Sequence, residues 1–372
     1  MIRYGAPEGA KYGIEGGDVV MSKKKKTSSE IALAAAAPGG YVPQDEDFVL
    51  APAELTATVQ AESVGGVKHE TLRRFFAQKS AVAGVIILGI LILLSIIGPY
   101  ISGHSYDAQD LERANLAPRV PGLASMGILD GSESMPKTSG TVRQNLYEEK
   151  GITDYYLFGT DSLGRDMFAR CFMGLRISLV IALLATAINL IIGMNYGIIS
   201  GYFGGMTDIF MQRTVDVIGS IPTLVVVTLL MLVLKPGMGS IIVALMLSGW
   251  IQMSLISRAE VMRVKELEYV QAARTMGAGH MHIIFRDIVP NILGKLVTQI
   301  MLSIPAAVFL EAFLSFVGLG MPAGTCSLGT LLSDGFQNAL LHPYKLLPAA
   351  VIMILLMVGC HLVAEGVKKA NE

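Results

Sequence analysis

The sequence predicts an all-α integral membrane protein with six transmembrane helices. Three observations carry this. Hydrophobic residues make up 52% of the 372-residue chain and charged residues only 16%, with mean hydropathy +0.55. Soluble chains usually hold about 25% charged residues. Six runs come close to the roughly 20 apolar residues that a helix needs to cross the hydrocarbon core. Lysine and arginine then gather on one side of those runs, as cytoplasmic flanks do. The net charge of −1 leaves no basic excess for a nucleic-acid partner.

Residues 1–70 read as a flexible cytoplasmic tail. "MIRYGAPEGAKYGIEGGDVV" is glycine-rich and aperiodic, "MSKKKKTSSE" is a charge run, and "PGGYVPQDEDFVLAPAEL" is rich in proline and acid. None of these could bury a core. Lys23 to Lys26 followed by "IALAAAAPGG" has a faint likeness to a signal peptide, but the run Ile31–Ala37 is mostly alanine and polar residues separate it from the lysines. The expectation is that it is not cleaved. Met21 is a second candidate start.

The first span, Ser80–Ser102, lies within a segment of residues 71–102, and Arg73, Arg74 and Lys79 before it place the N-terminus in the cytoplasm. An extracytoplasmic loop of residues 103–173 follows, turn-rich in "APRVPGLASMGILDGSESMPKTSG". In "LFGTDSLGRDMFARCFMGLR", Asp161 or Ser162 is expected to cap a short interfacial helix running through Phe168. The core, residues 174–366, holds the remaining runs: Ile177–Tyr202, Val217–Leu234, Ser240–Ser257, Leu296–Gly320 and Leu346–Ala364. Pro222 interrupts the third and Pro305 the fifth. Arg258, Arg263, Lys265, Arg274, Arg286 and Lys295 put the segment between spans four and five in the cytoplasm. Lys368 and Lys369 put the C-terminus there too.

That cytoplasmic segment, "EYVQAARTMGAGHMHIIFRDIVPN", is too charged to be buried in the membrane. From Val264, the residues Leu267, Val270, Ala273 and Gly277 recur at gaps of three and four, along one side of a helix. Some fourteen residues would rise only about 21 Å. Glu266 and Glu268 fall early, where they favour the helix's positive end. Ala272, Ala273 and Gly277 are small enough for a partner backbone to approach, and Gly277 and Gly279 can stop the helix. Pro290 suits the first turn of span five. A helix lying along the membrane and seated in a partner's groove, or a helix touching only lipid headgroups, both fit this pattern.

The stretch resembles the EAA motif of bacterial ABC-importer permeases. Gln271-Ala272-Ala273 is followed by Gly277, and Pro290 lies thirteen residues beyond that glycine. Gln271 replaces the motif's first acid and Val289 its leucine, with Glu268 placed to take over part of the charge. "LFGTDSLGRDMFAR", "GYFGGMTDIFMQRTVDVIGSIP" and "AFLSFVGLGMP" also resemble the C-type permease of dipeptide and oligopeptide importers, so the likeness covers about residues 70–366. It implies a type I ABC-importer transmembrane domain in the bacterial cytoplasmic membrane. A homologous second permease, two cytoplasmic ATPases and an extracytoplasmic peptide-binding protein would be its partners, beside membrane lipid. Leu267, Glu268, Gln271, Ala272, Ala273 and Gly277 would form the coupling helix that docks on an ATPase. No cofactor and no catalysis are expected of the chain itself, and it contains no GxxxxGK phosphate loop.

Other residues were weighed. Glu311, a carboxylate in an apolar run, is expected to pair with a neighbouring helix or to face a pathway. His361 reads as a packing histidine. His280 and His282 are two apart, on different faces of a helix, and are not expected to hold a metal. Asp208 and Asp216 flank the start of span three and are expected to be solvated or paired. Cys171, Cys326 and Cys360 form no metal spacing, and Cys171 and Cys326 could pair only if the fold brings them together. A nickel or other small-solute permease of the same family remains an alternative. An ion-driven transporter would need more intramembrane acids or paired broken helices. An intramembrane hydrolase would need a serine partner that His361 lacks by spacing.

Overall fold

The computed structural model describes residues 67–371 apart from 138–139 and 323, and an N-terminal strand pair, β1 (Tyr12–Glu15) with β2 (Asp18–Met21). The pair is antiparallel. The expectations for the rest of the tail, including the run Ile31–Ala37, lie outside the described residues. Contacts divide the chain into residues 1–70 and 71–372. Helix α1 (Val67–Ala77) begins inside the segment read as tail.

Among the described residues, five helices are long and apolar enough to cross a membrane, and a bent pair brings the spans to six if counted as one. Helix α2 (Lys79–Ile101) is the first. Its Pro99 has no amide hydrogen to give the carbonyl of Ser95. Arg176 of the next span supplies the missing donor, its Nε reaching the Ser95 oxygen at 3.0 Å and its Nη2 the Ile96 oxygen at 3.0 Å.

The long loop after α2 is packed rather than merely turn-rich. It carries the hairpin β3 (Ser132–Lys137) and β4 (Gly140–Asn145), then the short helix α3 (Leu146–Lys150). Leu116, Tyr147 and Tyr156 form its core. The Tyr147 hydroxyl donates to the Ala117 carbonyl at 2.8 Å.

No separate interfacial helix precedes the second span. Asp161 instead folds a turn, accepting from the amides of Leu163 and Arg165 at 2.9 Å each and from Arg165 Nε at 2.7 Å. The cap is Asp166, which accepts from the amides of Phe168 and Ala169. The helix it starts, α4 (Met167–Phe203), is the span itself, 37 residues long. At 1.5 Å per residue it measures about 55 Å and projects well beyond the hydrocarbon.

The third run also differs from expectation. Helix α5 (Gly205–Gly219) and helix α6 (Thr223–Val233) meet at 73° across Ser220–Pro222. Proline there does not merely interrupt a span: it separates two helices, and α6 alone, at 11 residues, is too short to cross. Helix α7 (Met238–Val264) is the fourth span, and the short helix α8 (Glu268–Thr275) follows it. The fifth, α9 (His280–Phe316), is continuous through a π turn at Ile283–Ile288, with Pro290 in the first turn of its α-helical part. A short helix, α10 (Leu328–Gln337), precedes α11 (Leu347–Asn371).

The tightest pairing joins α4 and α7, which run in the same direction. Gly193, Gly197 and Gly201 are spaced four apart on α4 and face Trp250–Ser254, Ser254–Arg258 and Arg258–Val261 in turn. A Cβ at Gly193 would stand 2.5 Å from the Trp250 carbonyl oxygen, and one at Gly201 would stand 2.9 Å from that of Arg258. Small residues of this spacing let membrane helices approach to backbone contact. Ser257 Oγ then donates to the Met194 carbonyl at 3.1 Å.

Glu311 is fully buried on α9 and faces no open space. Its carboxylate accepts from Ser327 Oγ at 2.6 Å, Ser178 Oγ at 2.9 Å and Ser315 Oγ at 3.3 Å. Ser327 is also the N-cap of α10, in a capping box with Thr330. One carboxylate thus ties α4, α9 and α10 together. Cys171, Cys326 and Cys360 are buried free thiols. His361 is exposed on the surface of α11, so it does no packing inside the protein.

A candidate coupling segment

The segment Lys265–Ile288, between the fourth and fifth spans, is built by two breaks in helicity. Helix α7 ends at Val264, and Leu267, in extended conformation, is the N-cap of α8. Glu266 therefore lies in the connecting turn and not in the helix. Glu268 occupies the first turn, where a negative charge complements the helix dipole. Gln271 Nε2 donates to the Lys265 carbonyl at 3.0 Å, a bond that the motif's carboxylate could not make.

The C-terminus of α8 is a Schellman motif. Gly277 has φ +84°; its amide donates to the Arg274 carbonyl and that of Ala278 to the Ala273 carbonyl, both at 3.0 Å. Nothing lies within 4 Å of where a Gly277 Cβ would stand. Within this chain, Gly277 is needed for its backbone rather than for small size.

The apolar stripe is divided: Val270 and Ala273 face inward, while Leu267 and Gly277 are exposed. Val270 is buried with Val264, Ile283, Ile284 and Ile288, and Ala273 packs on the same cluster. Ala273 is thus small enough to sit partly buried against the chain's own helices. Leu267, Glu268 and Ala272 are exposed, while Gln271 is half-buried. Sequence reasoning missed the outward surface. Met276, Met281 and Phe285 are 81%, 70% and 63% exposed. Large apolar side chains exposed together on a segment between two spans mark a candidate interaction surface. Their signal was in the sequence, as three bulky apolar residues within an otherwise polar stretch.

The segment is bound to the end of α4. Lys265 Nζ donates to the Gly201 carbonyl at 2.8 Å. The Tyr202 hydroxyl and His280 Nδ1 are 2.8 Å apart. The Arg274 guanidinium lies 5.8 Å from the Tyr202 ring centre. His280 and His282 are both exposed, and His280 is the one that meets Tyr202.

The chain was compared with known proteins. Residues 193–370 match the family described as binding-protein-dependent transport system inner membrane component, and residues 68–118 match the N-terminal TM domain of oligopeptide transport permease C. The oligopeptide transport system permease protein OppC of Bacillus subtilis is 36% identical over 303 residues, covering 82% of this chain and 88% of that protein. The dipeptide transport system permease protein DppC of the same organism is 37% identical over 305 residues, covering 82% and 85%. Among solved structures, the inward-facing MetNI methionine ABC transporter aligns with TM-score 0.45 and 18% identity, over 54% of this chain and 94% of that one. The chain belongs to the binding-protein-dependent transport system inner membrane components, and among them to the permeases of the OppC and DppC type.

Proposed function

We propose that the chain is the permease subunit of an ATP-driven importer carrying oligopeptides or dipeptides across the bacterial cytoplasmic membrane. The observation that carries this reading is the outward surface of the coupling segment. Leu267, Glu268, Ala272, Met276, Met281 and Phe285 stand exposed on a segment whose inner side is fastened to its own spans. A rigid backing with an apolar outer face fits a partner that pushes. That partner would be one of two cytoplasmic ATPases, which bind the ATP, so the permease needs no cofactor of its own. A homologous second permease would complete the pathway, and an extracytoplasmic peptide-binding protein would deliver substrate. ATP binding would close the ATPases, move the coupling segments and switch the spans from inward-open to outward-open. Both termini would lie in the cytoplasm, as the lysine and arginine bias requires.

The test is reconstitution of the assembled transporter in vesicles with uptake of a labelled dipeptide and a labelled pentapeptide, against nickel. ATP-dependent accumulation of either peptide is the expected result. Accumulation of nickel alone would overturn the substrate class. Met276→Glu places a charge in a packed groove, at a cost of about 2 kcal/mol or more. Docking should loosen by roughly thirtyfold, and the ATPases should be lost on co-purification while the permease stays in the membrane.

A further inference from the structure

The coupling segment hangs from α7, and α7 is locked to α4 by the glycine spacing. What lies beyond α4 is less firmly held. Gly204 has φ +66° and ψ −159°, a backbone region almost closed to side chains, and Gly205 follows at φ +54°. Two successive glycines in left-handed territory make a joint between α4 and α5. Nothing stands within 4 Å of a Cβ at Gly205, so packing does not explain it.

One charged link spans the joint. Asp208, on the first turn of α5, takes Arg258 of α7 bidentately, with Nε on Oδ1 and Nη2 on Oδ2, both at 2.6 Å. Ser200 of α4 donates to Asp208 Oδ1, and Gln212 Nε2 donates to Ser200 Oγ at 3.2 Å. Arg258 sits ten residues before Glu268 on the helix that leads into the coupling segment. A forked pair fixes orientation as well as distance.

The geometry points to Asp208 and Arg258 as positioning residues of the transport cycle: they clamp α5 to the α4–α7 unit across the Gly204–Gly205 joint, so that movement of the coupling segment is passed to α5 and the bent span α5–α6. This rests on reading Lys265–Ile288 as the ATPase-docking segment. With the clamp, α5 moves with the segment. Without it, neutral bonds such as that from the Tyr196 hydroxyl to the Met211 carbonyl, 2.8 Å, remain between α4 and α5, and the two glycines absorb the movement.

The experiment uses the assembled transporter in vesicles, with the three buried cysteines replaced by alanine and spin labels at Arg213 on α5 and His282 beside the coupling segment. The labelled parent should show one narrow distance that ATP leaves unchanged. Asp208→Asn and Arg258→Gln should broaden it and lower uptake per ATP hydrolysed at least tenfold, with the ATPases still co-purifying. The charge exchange Asp208→Arg with Arg258→Asp should restore the narrow distance. An unbroadened distance in both single variants, or a charge exchange that stays broad although the protein is assembled, would overturn the clamp. Loss of the ATPases from the Met276→Glu variant is read separately and bears on the docking segment alone.

Discussion

Gly277 shows how a small residue can be required for two different reasons. Its positive φ closes the Schellman turn, and the space beside it is open. A β-carbon in this conformation costs about 1–2 kcal/mol, and asparagine bears it better than other residues. Gly277→Asn should therefore keep most uptake, while Gly277→Val should lose it and release the ATPases. Equal loss in both would mean that bulk at the partner surface matters and the turn does not. Glu311 makes a second residue-scale case. Glu311→Ala would orphan three hydroxyls and open a cavity, together costing about 2–4 kcal/mol. Glu311→Gln, which can still meet those hydroxyls, should cost about 1 kcal/mol. The melting temperatures in detergent should fall in that order, and a Gln variant as unstable as the Ala variant would point to a need for the charge itself. The sequence showed that Glu311 was unusual. It could not show the partners, because Ser178 lies 133 residues away and Ser327 caps a separate short helix sixteen residues on.

At the scale of the element, composition and periodicity placed the long spans well, because hydrocarbon thickness imposes length directly. The failures sit where local chemistry competes with that rule. Asp166, not Asp161 or Ser162, caps α4, since all three could accept from a helix amide and only the turn geometry chooses. The direction of the α8 stripe was also illegible: periodicity defines a face, and says nothing about which neighbour covers it. The pairing of α4 with α7 was legible in principle, as glycine at 193, 197 and 201, and was overlooked. It yields a clean prediction. Gly197→Leu should prevent accumulation of the protein in the membrane, because a β-carbon there runs into the Ser254 carbonyl. Gly89→Ala on α2 meets nothing within 4 Å and should accumulate normally. Quantitative blotting of membrane fractions separates the two, and equal levels would mean that the helices can shift apart.

For the whole molecule, the charge bias orients the chain and the structure gives accessible positions to check it. Glu112→Cys, on the outer loop, should react with an impermeant maleimide in intact cells. Met276→Cys should react only after permeabilisation. Reaction of Met276→Cys in intact cells would invert the topology and remove the docking reading with it.

The break at Ser220–Pro222 has a consequence for the life of the protein before assembly. Pro222 offers no amide hydrogen, the helices part at 73°, and Ile221 is about half exposed. Broken backbone at membrane depth is tolerated only under protein or facing water, never against lipid tails. If the break lies within the hydrocarbon, a copy of the chain on its own would leave it facing lipid, and a neighbouring protein surface or a water-filled cavity would have to cover it.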